Sequence, residues 1–116
     1  MRLLTEIECK NAIKTGNFDL PELAESKGMA AVILTQSWCP QWKAMKNYLP
    51  EAEKRSPELT IAYIEYDQTP FFEEFMAFKE NTLKNREIPF VQYYKDGKYS
   101  SDSNYVSLEG FLQRLT

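Results

Sequence analysis

The apolar positions of this chain fall into short blocks set apart by polar turns. Met29–Thr35 is a run of seven residues without a charge and reads as a strand buried on both faces. Leu59–Asp67, rich in Ile and Tyr, reads as a second central strand, and Pro89–Tyr94 as a third. Between the first two, Met45, Tyr48, Leu49 and Ala52 recur at i, i+3, i+4 and i+7, the one-faced stripe of an amphipathic helix. That helix begins at Pro40, a residue suited to the first helical position, and runs to about Arg55. Pro50 lies inside it and is expected to kink or divide it.

The flanking segments complete the order. Leu3–Ile7 is expected as a short edge strand, Glu8–Thr15 as a turn or two of helix, and Gly16-Asn17 as a break. Asp19-Leu20-Pro21-Glu22 reads as a helix start, the helix ending near Gly28. Thr69-Pro70 opens another helix, whose Phe71, Phe75 and Phe78 form one row and Phe72 and Met76 the next; these aromatic rows are expected to face the sheet. Asn81–Glu87 is polar and reads as a loop. Lys95-Asp96-Gly97-Lys98 is a hairpin signal, with a returning strand near Lys98–Ser100. Ser107 can cap a last helix carrying Leu108, Phe111, Leu112 and Leu115. The order βαβαβαββα predicts an α/β chain whose early strands pair in parallel and whose late hairpin is antiparallel. No repeat or linker interrupts it, so residues 1–116 are expected to form one domain.

One stretch carries candidate chemistry: Ser37-Trp38-Cys39-Pro40-Gln41-Trp42-Lys43, between the first buried strand and the long helix. At such a junction the unpaired helix N–H groups and the helix dipole favour negative charge, an arrangement that suits a thiolate. Lys43 and Lys46 are candidates for tuning that thiolate, with a solvated helix face as the alternative reading. Three positions beyond Cys39, where a dithiol enzyme keeps its second cysteine, stands Trp42. The motif therefore suits one-thiol chemistry, or binding without chemistry. Trp42 reads equally as a plug that shields the sulfur and holds a partner, or as packing beneath the motif.

Composition narrows the function classes. The chain has no histidine, which removes Cys-His dyads, Ser-His-Asp triads and His-ligated zinc or haem. Its two cysteines, Cys9 and Cys39, cannot make a four-thiolate site, so neither metal nor cofactor is expected. Cys9 reads as a small buried apolar residue rather than a second working thiol. The net charge is −3, and the 14 Lys and Arg are scattered, which argues against nucleic acid as a partner. No apolar run approaches the roughly 20 residues needed to span a bilayer. Glu6 and Glu8 interrupt the first residues, so no secretory leader is read there and a cytoplasmic location is expected.

Trp38-Cys39 at a strand–helix junction, Lys43 after it, Ile88-Pro89, and the Lys95–Lys98 hairpin before a last helix together resemble the thioredoxin family, over about Phe18 to Leu115. The resemblance implies a central mixed β-sheet flanked by helices on both faces. It also implies a cis Pro89 beside Cys39, with Ile88 offering its backbone to a bound substrate strand. Trp38, Pro40, Trp42, Ile88, Pro89 and Phe90 would then surround the sulfur. The departures are specific. Cys-x-x-Cys is here Cys39-Pro40-Gln41-Trp42; the acid many members bury six residues before the cysteine is Ile33; a proline eight residues after it is Asn47. The segment from Asp67 to Ile88 is long, and where a glycine commonly follows the hairpin stands Asn104 or Tyr105.

The expected function is thiol–disulfide exchange by a monothiol protein. Cys39 is the nucleophile, protein or low-molecular-weight thiols and disulfides are the partners, and release needs an external thiol. The alternative is a redox-inactive adaptor that binds a protein through a Trp38/Trp42/Phe90 face.

Overall fold

The computed structural model describes residues 1–24 and 28–115. The strands are β1 (Arg2–Leu3), β2 (Met29–Thr35), β3 (Leu59–Glu65), β4 (Phe90–Lys95) and β5 (Lys98–Ser103). The helices are α1 (Glu6–Thr15), α2 (Pro21–Ala24), α3 (Pro40–Arg55), α4 (Phe72–Ala77) and α5 (Leu108–Gln113). The sheet order is β1-β3-β2-β4-β5, with β1, β3 and β2 mutually parallel and β4 and β5 joined antiparallel. This is the expected mixed sheet. The end of the helix expected to finish near Gly28 lies outside the described residues beyond Ala24.

The apolar run of β2 is explained by its place. It pairs with β3 on one edge and β4 on the other, and Ala30 to Thr35 are all buried. Alternate residues feed two cores. Ala30, Val32 and Leu34 pack with Cys9 and Ala12 of α1 and Phe75 of α4; Ala31 and Ile33 pack with Trp42, Met45, Leu49 and Ala52 of α3 and Phe111 of α5. Helices thus cover both faces.

Several features differ from the sequence reading, and four of them have a local reason. The first strand is only two residues long, because Thr5 caps α1: its Oγ1 accepts from Glu8 N–H (3.1 Å) while Glu8 Oε1 accepts from Thr5 N–H (2.9 Å). The third strand stops at Glu65, and Tyr66–Gln68 form a 3-10 turn in which Tyr66 O accepts from both Thr69 N–H and Thr69 Oγ1. Pro50 does not divide α3; it and Lys46, whose carbonyl would have met its missing N–H, both lie on the exposed side. Asn81 and Thr82 are not loop but the end of a π-helical turn, Phe78–Thr82, that continues α4. The aromatic row Phe71, Phe75, Phe78 is buried against the sheet, with Phe72 and Met76 half-buried at its edge. The hairpin turns through Asp96 (φ 51°) and Gly97 (φ 78°), both left-handed.

Candidate functional site

The site lies where β2 ends and α3 begins. Cys39 is the residue preceding α3, its backbone extended (φ −70°, ψ 119°), and its carbonyl accepts the first helical hydrogen bond, from Lys43 N–H (3.1 Å). Its own N–H donates to Gln36 O (3.3 Å), which closes the Gln36–Cys39 turn. Pro40 follows at the first helical position and is exposed.

The turn is held by a residue from across the sheet. Asp67 Oδ1 accepts from Ser37 N–H (2.7 Å) and Asp67 Oδ2 from Ser37 Oγ (2.6 Å). Gln68 Nε2 donates to both Ser37 Oγ and Asp67 Oδ2, 3.1 Å each. Burial pushes the Asp67 carboxyl upward, but the Ser37 hydroxyl and N–H and the Gln68 amide outweigh it and hold the group below the usual carboxylate range. Next to it, Trp38 Nε1 donates to Gln36 Oε1 (2.6 Å), and Gln36 Nε2 donates to Tyr66 OH (3.3 Å). Trp38 remains 60% exposed.

Two segments fifty positions apart meet at the sulfur. The Cys39 thiol donates to Ile88 O (3.8 Å), and the Ile88–Pro89 peptide is cis. Cys39 is only 4% exposed, between exposed Trp38 and Pro40. The little of Cys39 that reaches the surface lies between these two residues and beside the Ile88 carbonyl.

The other expected residues are not all at the surface. Trp42 is fully buried; its Nε1 donates to Glu65 Oε2 (2.8 Å) and its ring packs on Tyr63. Phe90 is also buried, but in the α1/α4 layer, because it starts a strand whose alternate residues face opposite sides. Trp38, Trp42 and Phe90 therefore do not share one face, and of the three only Trp38 is exposed. Lys46 Nζ stands 3.6 Å from Glu65 Oε2 and over the Trp42 and Tyr63 rings, so its charge is engaged by Glu65. Lys43 is exposed. Ile33 is fully buried in the same layer as Cys39, so the ground under the thiol is apolar.

Cys9 is separated from Cys39 by the sheet. It is fully buried in the α1/α4 layer, while Cys39 packs in the α3/α5 layer. Burial, with Glu8 and Glu6 nearby, pushes its thiol up to about 12. Asp67, Glu65 and Ser37 are the site-shaping residues that sequence reasoning missed. Their partners lie 23 or 30 positions away in the chain, and no local pattern marks them.

No family model matches this chain, and no curated protein sequence matches it. Solved structures do. Fasciola hepatica thioredoxin superposes with a TM-score of 0.66 at 18% identity, over 99% of this chain and 96% of its own. Mitochondrial thioredoxin 3 from Saccharomyces cerevisiae gives 0.65 at 16%, over 99% and 92%. Thioredoxin O2 from Arabidopsis thaliana gives 0.65 at 14%, over 96% and 87%. At such identities the likeness is one of architecture, and with the strand order and the junction described above it makes this chain a thioredoxin-fold protein.

Proposed function

We propose that this chain takes part in thiol–disulfide exchange through Cys39 alone. The observation that carries the reading is the meeting of the Cys39 thiol, at the head of a sixteen-residue helix, with the Ile88 carbonyl that precedes Pro89. Cys39 gives up its proton and attacks one sulfur of a partner disulfide. A Cys39–partner disulfide forms, the partner's own S–S bond breaks, and the second sulfur leaves as a thiolate that takes up a proton. An external thiol then attacks the mixed disulfide, restores the Cys39 thiol, and carries away the partner sulfur as a new disulfide. Trp42 has no sulfur with which to do this, and Cys9 lies behind the sheet.

Trp38 and Pro40 line the approach, and Ile88 and Pro89 align the partner's backbone. Buried Trp42 packs in the same layer as Cys39, Phe90 anchors the start of β4 on the other face of the sheet, and Lys43 adds positive charge at the first turn. The partners are protein or low-molecular-weight disulfides. A cytoplasmic location, with its glutathione pool, supplies the resolving thiol. Intact-mass spectrometry after incubation with oxidised glutathione tests the reading. The expected product is a single glutathione adduct on the native chain and none on Cys39→Ser; equal labelling of the two overturns it.

A further inference from the structure

Among the described residues Lys79 is the only charged side chain that is buried, at 1% exposure. A buried ammonium is unfavourable unless it is fully engaged, and an apolar side chain of similar length fills the same volume without that cost. Its engagement is directed at one segment. Lys79 Nζ donates to Asn85 O (2.9 Å), Asn85 Oδ1 (3.1 Å) and Glu87 O (2.7 Å). Its fourth neighbour is the Phe90 ring, 5.7 Å away at the centroid. Burial lowers the Lys79 ammonium to about 8, against the opposing pull of Glu80 and Glu87.

Asn104 grips the same segment from outside. Its Nδ2 lies 3.0 Å from Asn85 Oδ1, 3.1 Å from Glu87 O and 3.1 Å from Pro89 O, and its Oδ1 accepts from Asn85 Nδ2 (3.1 Å). Asn85 Oδ1 also accepts from Glu87 N–H (3.0 Å). The Asn85 amide oxygen is therefore held three times and the Glu87 carbonyl twice, and the next residue is Ile88, whose carbonyl faces Cys39 Sγ.

We propose that Lys79 is a positioning residue, which together with Asn104 clamps residues 85–89 so that the Ile88 carbonyl stays registered against the Cys39 sulfur. The proposal rests on the thiol-exchange reading for its purpose, though not for its geometry. A partner that must lie along Ile88 needs that backbone fixed; a small alkylating reagent needs only the sulfur. The clamp thus acts on one class of reaction and spares the other.

The test compares the native chain with Lys79→Met, and with Asn104→Ala should Lys79→Met fail to fold. Amide hydrogen exchange is followed at residues 85–88 and in the central strands. Cys39 is then offered two probes, a peptide disulfide and iodoacetamide. Expected are exchange about tenfold faster at 85–88 with β2 and β3 unchanged, peptide capture about tenfold slower, and alkylation altered less than about twofold. Unchanged exchange at 85–88 overturns the clamp, as does an equal fall in capture and alkylation. A native chain that captures no disulfide overturns the thiol-exchange reading alone; the exchange rates then support or overturn the clamp by themselves.

Discussion

The indole nitrogen of Trp42 lies 2.8 Å from a carboxylate oxygen of Glu65. The position that would hold a resolving sulfur is thus filled by a ring turned inward and tied to the end of β3, while Lys46 supplies the carboxylate's counter-charge. Trp42→Phe keeps most of the packing but leaves Glu65 one donor short. A loss of about 1–3 kcal/mol in urea unfolding is expected. Trp42→Ala also empties the space under the motif and is expected to cost about 3–5 kcal/mol. Equal stabilities for Trp42→Phe and the native chain would remove the indole hydrogen bond from this account.

Asp67 pins Ser37 by two hydrogen bonds, one to its backbone and one to its hydroxyl. Asp67→Ala leaves the Ser37 N–H without that acceptor and is expected to lower stability by about 1–3 kcal/mol. Ser37→Ala keeps the backbone bond and loses only the hydroxyl, so its cost is the smaller of the two. Chemical denaturation of both variants gives the comparison, and the reverse order would show the hydroxyl to be the main tether.

The two thiols should separate cleanly in labelling. Cys9 is buried in the α1/α4 layer and its thiol is pushed up to about 12. In the folded chain at pH 8, iodoacetamide should modify Cys39 and leave Cys9 untouched until denaturant is added. Peptide mapping after a time course reads this directly. Modification of Cys9 at the rate of Cys39 would mean that the α1 layer opens readily.

Acid should loosen the N-terminal corner. Arg2 Nη1 and Nη2 each donate to Glu8, and Arg2 also pairs with Glu22 through Nε and Nη2. Arg2 holds both carboxyls below their ordinary 4.5. The unfolded chain then binds more protons than the native one in acid, so this stabilisation is complete above about pH 4.5 and is lost as pH falls through the folded values. Arg2→Met should cost about 1–2 kcal/mol at pH 7 and less at pH 3, because these are partly exposed pairs. Thermal melts at the two pH values measure it; an equal cost at both would mean that Arg2 acts by packing.

Much of the fold was legible because it is written in local pattern. The bounds of β2 and α3 match their sequence readings, since an uncharged seven-residue run and a Pro-started stripe each leave little choice. The Thr5–Glu8 capping box was equally readable, as Thr-x-x-Glu before a helix, and would have started α1 at Glu6. The Cys39–Ile88 meeting was not derivable from spacing and came from resemblance alone. The burial of Trp42 was one of two equal readings, and the burial of Phe90 and the grips of Asp67, Lys79 and Asn104 were not legible at all. Each depends on a partner brought up by sheet pairing or by a turn whose course is set by the whole fold. A lysine in a polar stretch reads as solvated until the carbonyls around it are known.

The π-helical turn at the end of α4 is a shift of phase. Phe78 and Lys79 are consecutive, and both are buried, one against the aromatic row and the other against the 85–87 carbonyls. Adding or removing a single residue between Phe75 and Lys79 would rotate that arrangement by about 100° and present Phe78 or Glu80 where the ammonium now sits. This segment can therefore vary in side chains far more readily than in length, and a one-residue insertion here should be felt at Cys39 although it touches nothing there.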